Sequence, residues 1–161
     1  MTETALPFLS ALRRARDLID RSYAEPLDLD AMAREAGYSR FHFARGFATT
    51  YGETPRAYLT RRRIERAKTL LRTANLSVTE ICMLVGFSSV GSFSARFHEL
   101  VGESPTAYRD GTVARSGVPP IPGCMVLMWT RPHPEGPQAR RSASRPSSTS
   151  VESEAHAEET R

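Results

Sequence analysis

The first 110 residues carry apolar side chains at intervals of three and four, the spacing of amphipathic helices, and punctuation residues divide them into segments. Leu9, Leu12, Ala15 and Ile19 mark one face of a first helix, which Glu25-Pro26 closes. Asp28 is placed to cap a short helix over 29–36, and Gly37 stands where a left-handed terminating residue is needed. Ser39 opens the next helix, with Phe43 and Phe47 one turn apart, ending near Gly52. Thr54-Pro55 supplies a cap and a first-turn proline for a long helix reaching about Arg72, with Ala67, Leu70 and Leu71 on its inner stripe. "SVTE" at 77–80 is a capping box, beginning a helix that turns Ile81, Cys82 and Val85 inward and stops at Gly86. A further helix is predicted from about Ser89 to Val101, and Ser104-Pro105 caps a final short one. The fold class is all-α.

Part of this pattern occurs twice. Met32, Ala33, Ala36, Gly37, Tyr38 and Ser39 align with Ile81, Cys82, Val85, Gly86, Phe87 and Ser88 at an offset of 49. Phe43, Phe47, Gly52, Glu53, Pro55, Ala57 and Tyr58 align with Phe93, Phe97, Gly102, Glu103, Pro105, Ala107 and Tyr108 at an offset of 50. Two copies are too few for a solenoid, which needs at least three to bury a continuous core. Each copy is instead a short helix, a glycine-containing turn and a second helix opened by serine, the order of a helix-turn-helix. In that motif the second helix enters the DNA major groove, and apolar residues lock the angle between the two helices. Tyr38, Phe43 and Phe47, with Phe87, Phe93 and Phe97, suit that task. Aromatic helical hairpins also occur in proteins that never touch DNA, so the doubling carries the weight. The joining helix, read as 55–72, would be about 27 Å long, against a groove repeat of about 34–36 Å. Once the offsets of the two heads are added, one chain can reach two successive grooves.

Composition changes near Asp110. From Gly111 onward Pro, Gly, Ser, Arg and Glu dominate, and "RRSASRPSSTSVESEAHAEETR" lacks the apolar side chains that would offset its ordering entropy. We therefore divide the chain into a helical domain, 1–110, and a tail, 111–161, that is partly or wholly disordered. Within the tail, the β-prone run Met125–Thr130 is framed by prolines, and the sequence leaves open whether it docks as a strand or stays extended.

The overall figures, 161 residues with 40% apolar and 25% charged, are those of an ordinary globular chain. The N-terminal apolar patch is preceded by Glu3 and followed by Arg13, Arg14 and Arg16, unlike a signal peptide, and no run approaches the ~20 residues of a membrane span. A cytoplasmic protein without membrane association is expected. Cys82 and Cys124 lack metal-site or redox spacing and read as two reduced thiols. The net charge of +4 allows an acidic partner without naming it. Residues 1–110 hold 16 Lys and Arg against 13 Asp and Glu, hence only +3. There is no phosphate loop, no H-E-x-x-H and no nucleophile elbow, and the four histidines are scattered. Neither an enzyme nor a metal or other cofactor is expected.

"LDLDAMAREAGYSRFHFARGFATTYGETPRAYLTRRRIERAKTLL", followed by "SVTEICMLVGFSSVGSFSARFHELVGESPTAYR", resembles the double helix-turn-helix domain of AraC-type (arabinose-regulator-like) transcription regulators over about residues 20–109. The resemblance implies about seven helices in two subdomains joined by a linker helix. It also implies a sequence-specific regulator that binds double-stranded promoter DNA and usually acts as an activator contacting RNA polymerase. Most members carry a separate sensing and dimerising domain, whereas this chain is similar to the small single-domain members, which bind DNA as monomers. Some DNA-repair methyltransferases pair a related domain with a four-cysteine zinc site, which two cysteines cannot build.

On the first recognition helix, Arg40, Phe41, Ala44 and Arg45 face outward when Phe43 and Phe47 face in. Arg45 is the candidate for direct readout, since a guanidinium donates two bonds to guanine O6 and N7. Phe41 and Ala44 suit thymine methyls, and Arg40 and His42 suit phosphate or solvent. On the second, Ser89, Gly91, Ser92 and Ala95 approach the groove, with Arg96 at a phosphate or in solvent. Relatives often carry long polar side chains at Val90, Gly91, Ser92 and Ala95, so weaker base discrimination is expected of this head. In "TRRRIERAK" at 60–68, Arg62 and Arg66 read as a solvated face, and Arg63 with Glu65 as a tie between subdomains. The rival to a DNA reader is a partner-dependent interaction protein that acts on RNA polymerase or another regulator and binds DNA weakly.

Overall fold

The computed structural model describes residues 5–116 and 120–130. Eight helices are present among them: α1 (Ala5–Ser22), α2 (Leu29–Ala36), α3 (Arg40–Tyr51), α4 (Pro55–Thr73), α5 (Val78–Leu84), α6 (Val90–Val101), α7 (Pro105–Ser116) and α8 (Gly123–Thr130). The two-residue strands β1 (Ala74–Asn75) and β2 (Ile121–Pro122) pair in parallel, Ala74 opposite Ile121.

The sequence signals form the ends they predict. Asp28, Ser39 and Thr54 accept backbone N–H bonds from Ala31, His42 and Ala57, so side-chain oxygens replace missing intrahelical acceptors. Ser77 and Glu80 close a reciprocal capping box, whose bonds hold the exposed Glu80 carboxyl below its ordinary pKa. Gly37 and Gly86 both turn left-handed, at φ 76° and 89°. Each helix-turn-helix turn is closed by the same bond pair, from Gly37 to Arg34 and Tyr38 to Ala33, and from Gly86 to Met83 and Phe87 to Cys82.

Two apolar cores result, and α4 belongs to both. Leu12, Ala15, Ile19, Met32, Phe43 and Phe47 build the first with Tyr58 and Leu59 from the start of α4. Ile81, Cys82, Val85, Phe93 and Phe97 build the second with Ile64, Ala67, Leu70 and Leu71 from its remainder. The repeat reaches the aromatic contacts: Phe43–Phe47 and Phe47–Tyr58 centroids lie 5.6 and 5.7 Å apart, and Phe93–Phe97 and Phe97–Tyr108 lie 5.8 and 5.6 Å apart. Burial raises the Cys82 thiol pKa, in keeping with a core cysteine.

Between the cores the arginine run of α4 is engaged on three sides. Arg63 donates to the carbonyls of Tyr23 (2.7 Å) and Glu25 (2.8 Å), and its guanidinium lies 5.8 Å from the Phe87 ring centroid. It thereby joins the α1–α2 loop to the turn of the second repeat, and its burial lowers its pKa. Glu65, expected to share in this tie, instead pairs with Arg61 and Arg62 on its own helix. Arg62 is no solvated residue either, because Asp20 holds it at 2.7 Å.

Three other sequence expectations change. Leu9 is 37% exposed rather than part of the buried stripe. The final short helix runs twelve residues to Ser116, so the composition change at Asp110 falls inside it. Met125–Thr130 is helical. The edge offered by β1 is two residues long and cannot pair a six-residue strand, whereas a helix satisfies its own backbone and lets Val126 and Leu127 pack on the second core. The disorder expected of the extreme C-terminal segment lies outside the described residues.

Candidate nucleic-acid interface

The candidate interface is built on α3 and α6, each fixed by an inward aromatic pair one turn apart and opened by a serine cap, Ser39 and Ser89. Fully buried phenylalanines hold one side of each helix, leaving the other side to solvent.

On α3, Arg40, Phe41, His42 and Arg45 are exposed and Ala44 is half-buried. Phe41 is 78% exposed, an unusual position for a phenylalanine and one suited to an apolar contact in the groove. The basic residues differ in availability. Arg40 lies 3.8 Å from Asp30 and 5.2 Å from the Phe41 ring centroid. Arg45 has no carboxylate within ion-pairing distance among the described residues, so its guanidinium is free to meet a ligand. His42 stacks on Tyr38 with centroids 5.2 Å apart and meets Phe8 at 4.6 Å, so its ring orientation is set from the flank.

On α6 the exposed residues satisfy one another. Ser89 accepts from the Ser92 N–H, the two hydroxyls lie 2.7 Å apart, and the Ser92 hydroxyl donates to the Ser89 carbonyl at 3.1 Å. Arg96 is paired with Glu99 one turn on. Ala95 offers only a methyl, and Gly91 is bare: a Cβ built on it would meet nothing within 4 Å. The groove-facing positions expected from the sequence are exposed, but the serine hydroxyls predicted to serve bases are already in use within the helix cap.

Sequence reasoning missed the contacts that fix these helices from a distance. Asp20 accepts the Tyr58 hydroxyl at 3.0 Å and also pairs with Arg62. Burial, and then this bond to a carboxylate, raise the Tyr58 pKa. Phe8 lies against α3 at Gly46. A glycine inside a helix is costly, and Gly46 was the one local signal that something approaches there.

This arrangement, two helix-turn-helix units whose second helices are exposed and whose cores share one helix, defines a double helix-turn-helix domain. A helix-turn-helix domain family matches residues 32–111. The regulatory protein SoxS of Escherichia coli K12 is 33% identical over 91 residues, covering 56% of this chain and 85% of SoxS. The virulence regulon transcriptional activator VirF of Yersinia enterocolitica is 34% identical over 118 residues, covering 68% of this chain and 44% of VirF, so the chain spans less than half of that longer relative. Among solved structures, the DNA-binding domain of the global transcriptional factor AdpA, in complex with a target DNA, superposes with a TM-score of 0.62 at 29% identity, over 70% of this chain and 98% of that domain. The chain belongs to the AraC-type family of helix-turn-helix transcription regulators.

Proposed function

We propose that this chain is a sequence-specific transcription regulator that places α3 and α6 in successive major grooves of promoter DNA, as a monomer. The observation that carries the reading is the sharing of α4 between two equivalent cores. At 19 residues α4 is about 28 Å long. Its rigidity sets the spacing of the heads, a task that separate dimerised subunits otherwise perform.

The heads have unequal roles. Arg45, exposed and without a carboxylate partner among the described residues, reads a guanine, and Phe41 and Ala44 meet thymine methyls. Arg40 and His42 lie beside the backbone. On the second head the self-bonded Ser89 and Ser92, the small Gly91 and Ala95, and the paired Arg96 favour close approach and shape readout over base recognition. The names of VirF and of AarP from Providencia stuartii, both called transcriptional activators, support activation as the sign of regulation; RNA polymerase as protein partner rests on the family resemblance.

The test is selection of genomic fragments by the purified protein, followed by footprinting at dilute concentration and a salt titration. Two protected blocks about one helical turn apart, affinity falling steeply with salt, and loss of one selected base in Arg45→Ala are expected. Weak, salt-insensitive binding with tight capture of polymerase subunits would replace this reading with that of a partner-dependent protein.

A further inference from the structure

Phe8 sits in the second turn of α1, outside the 32–111 region that the family match covers. It is half-buried at the rim of the first core. Its ring meets Tyr38 edge-on, with centroids 4.8 Å apart at 83°, and His42 at 4.6 Å and 57°. Tyr38 lies in the helix-turn-helix turn and His42 in the first turn of α3, so one ring spans three elements. The same ring fills the space over Gly46: a Cβ built there would fall 2.1 Å from the Phe8 Cζ and 2.5 Å from its Cε1. Gly46 follows Arg45 directly and lies one turn beyond His42. No other residue can occupy position 46 while the ring stays.

We propose that Phe8 is a positioning residue for DNA reading, clamping α3 through Gly46, Tyr38 and His42 so that Arg45 is presented at a fixed rotation and inclination. The inference rests on the reading of α3 as a recognition helix. Phe43 and Phe47 anchor α3 from within but lie on one line along it, and a helix held along one line can still roll. Phe8 supplies a second, lateral bearing. Base readout tolerates errors of only about 0.5 Å and 10–20° in a contacting side chain, so a small roll at Gly46 is felt at Arg45.

The test compares wild type with Phe8→Ala, Phe8→Leu, Gly46→Ala and the double variant Phe8→Ala/Gly46→Ala. Two quantities are read: hydrogen exchange of the α3 and α6 amides in the free protein, and discrimination between the selected duplex and duplexes with the first or second block scrambled. Phe8→Ala should speed exchange in α3 but not in α6. It should also reduce first-block discrimination by about tenfold, within the range of one bidentate base contact, while second-block discrimination stays unchanged. Phe8→Leu, which keeps an apolar bearing without the ring edge, should fall between. Gly46→Ala should push the Phe8 ring off α3 and so lower first-block discrimination about as much as Phe8→Ala, and the double variant should be no worse than either, because the added methyl then occupies space the ring has left. A fall in thermal stability with both discrimination ratios unchanged would make Phe8 a packing residue only and overturn the proposal, as would an equal loss at both blocks. A wild type that discriminates neither block would instead refute the DNA reading, and unchanged α3 exchange in Phe8→Ala would refute the clamp independently of any DNA.

Discussion

Gly37 and Gly86 occupy equivalent turns of the two repeats, yet Gly86→Ala should be far more damaging than Gly37→Ala. Both residues are left-handed, so an added Cβ strains each by about 1–2 kcal/mol. At Gly37 the new methyl enters open space and that is the whole effect. At Gly86 it would lie 2.6 Å from the Ala24 carbonyl oxygen and 2.9 Å from its carbon, a collision with backbone rather than with a side chain able to swing away. Overpacking of that kind adds about 1–3 kcal/mol, so Gly86→Ala should cost about 2–5 kcal/mol in all. The displaced loop also carries the Tyr23 and Glu25 carbonyls that Arg63 holds, so the junction between the repeats should loosen with the turn. Urea unfolding at constant m-value measures both variants against wild type. Equal destabilisation by the two substitutions would refute the claim that the second turn is wedged against the α1–α2 loop.

Arg63→Met should keep the length of the side chain but lose its two bonds to the α1–α2 loop, costing about 1–3 kcal/mol and separating the unfolding of the two cores; a single transition at the wild-type midpoint would count against the tie. Burial acts to raise the Glu65 pKa, but bonds from Arg61 and Arg62 outweigh it and the net shift is downward. Its contribution to stability is therefore present above the ordinary carboxylate range and disappears as pH falls through the depressed value. Glu65→Gln, worth no more than about 1 kcal/mol at so exposed a site, should approach wild-type stability in acid, and a gap in urea midpoint that stays constant with pH would refute this. Gly91→Ala should stabilise the fold by up to about 1 kcal/mol through the better helix former, seen as a higher melting temperature, and yet weaken DNA binding, as judged by titration of the selected duplex; tighter binding would show that α6 does not approach the DNA by its backbone.

The helix starts and stops were legible because they are local: a serine, threonine or aspartate three residues before an orphan amide, or a glycine where φ must be positive, acts within one turn of itself. The doubling was legible too, since both repeats solve the same packing problem with the same aromatics. Position 63 was half legible. Its role as a tie was foreseen, but its acceptors are backbone carbonyls some forty residues away, and carbonyls carry no signature in a sequence. Glu65 was misassigned for a related reason, because helical spacing offers it Arg61 and Arg62 as readily as any longer-range partner. The run at 125–130 is β-prone by composition and helical in the fold, because the strand edge it meets is too short to pair with it.

Helices α1 to α6, their caps and the doubled helix-turn-helix pattern could be read from the chain, because they follow from spacing within a few residues and from repetition; α8 could not. Which outward groups are engaged among the described residues depends on packing between distant segments. Arg45 is open while Arg40 and Arg96 face carboxylates, the serines of α6 spend their hydroxyls on their own cap, and Phe8 bears on Gly46. Availability and orientation depend on what the fold brings within a few ångströms. That is a property of distances between residues far apart in the chain, and the local pattern does not encode it.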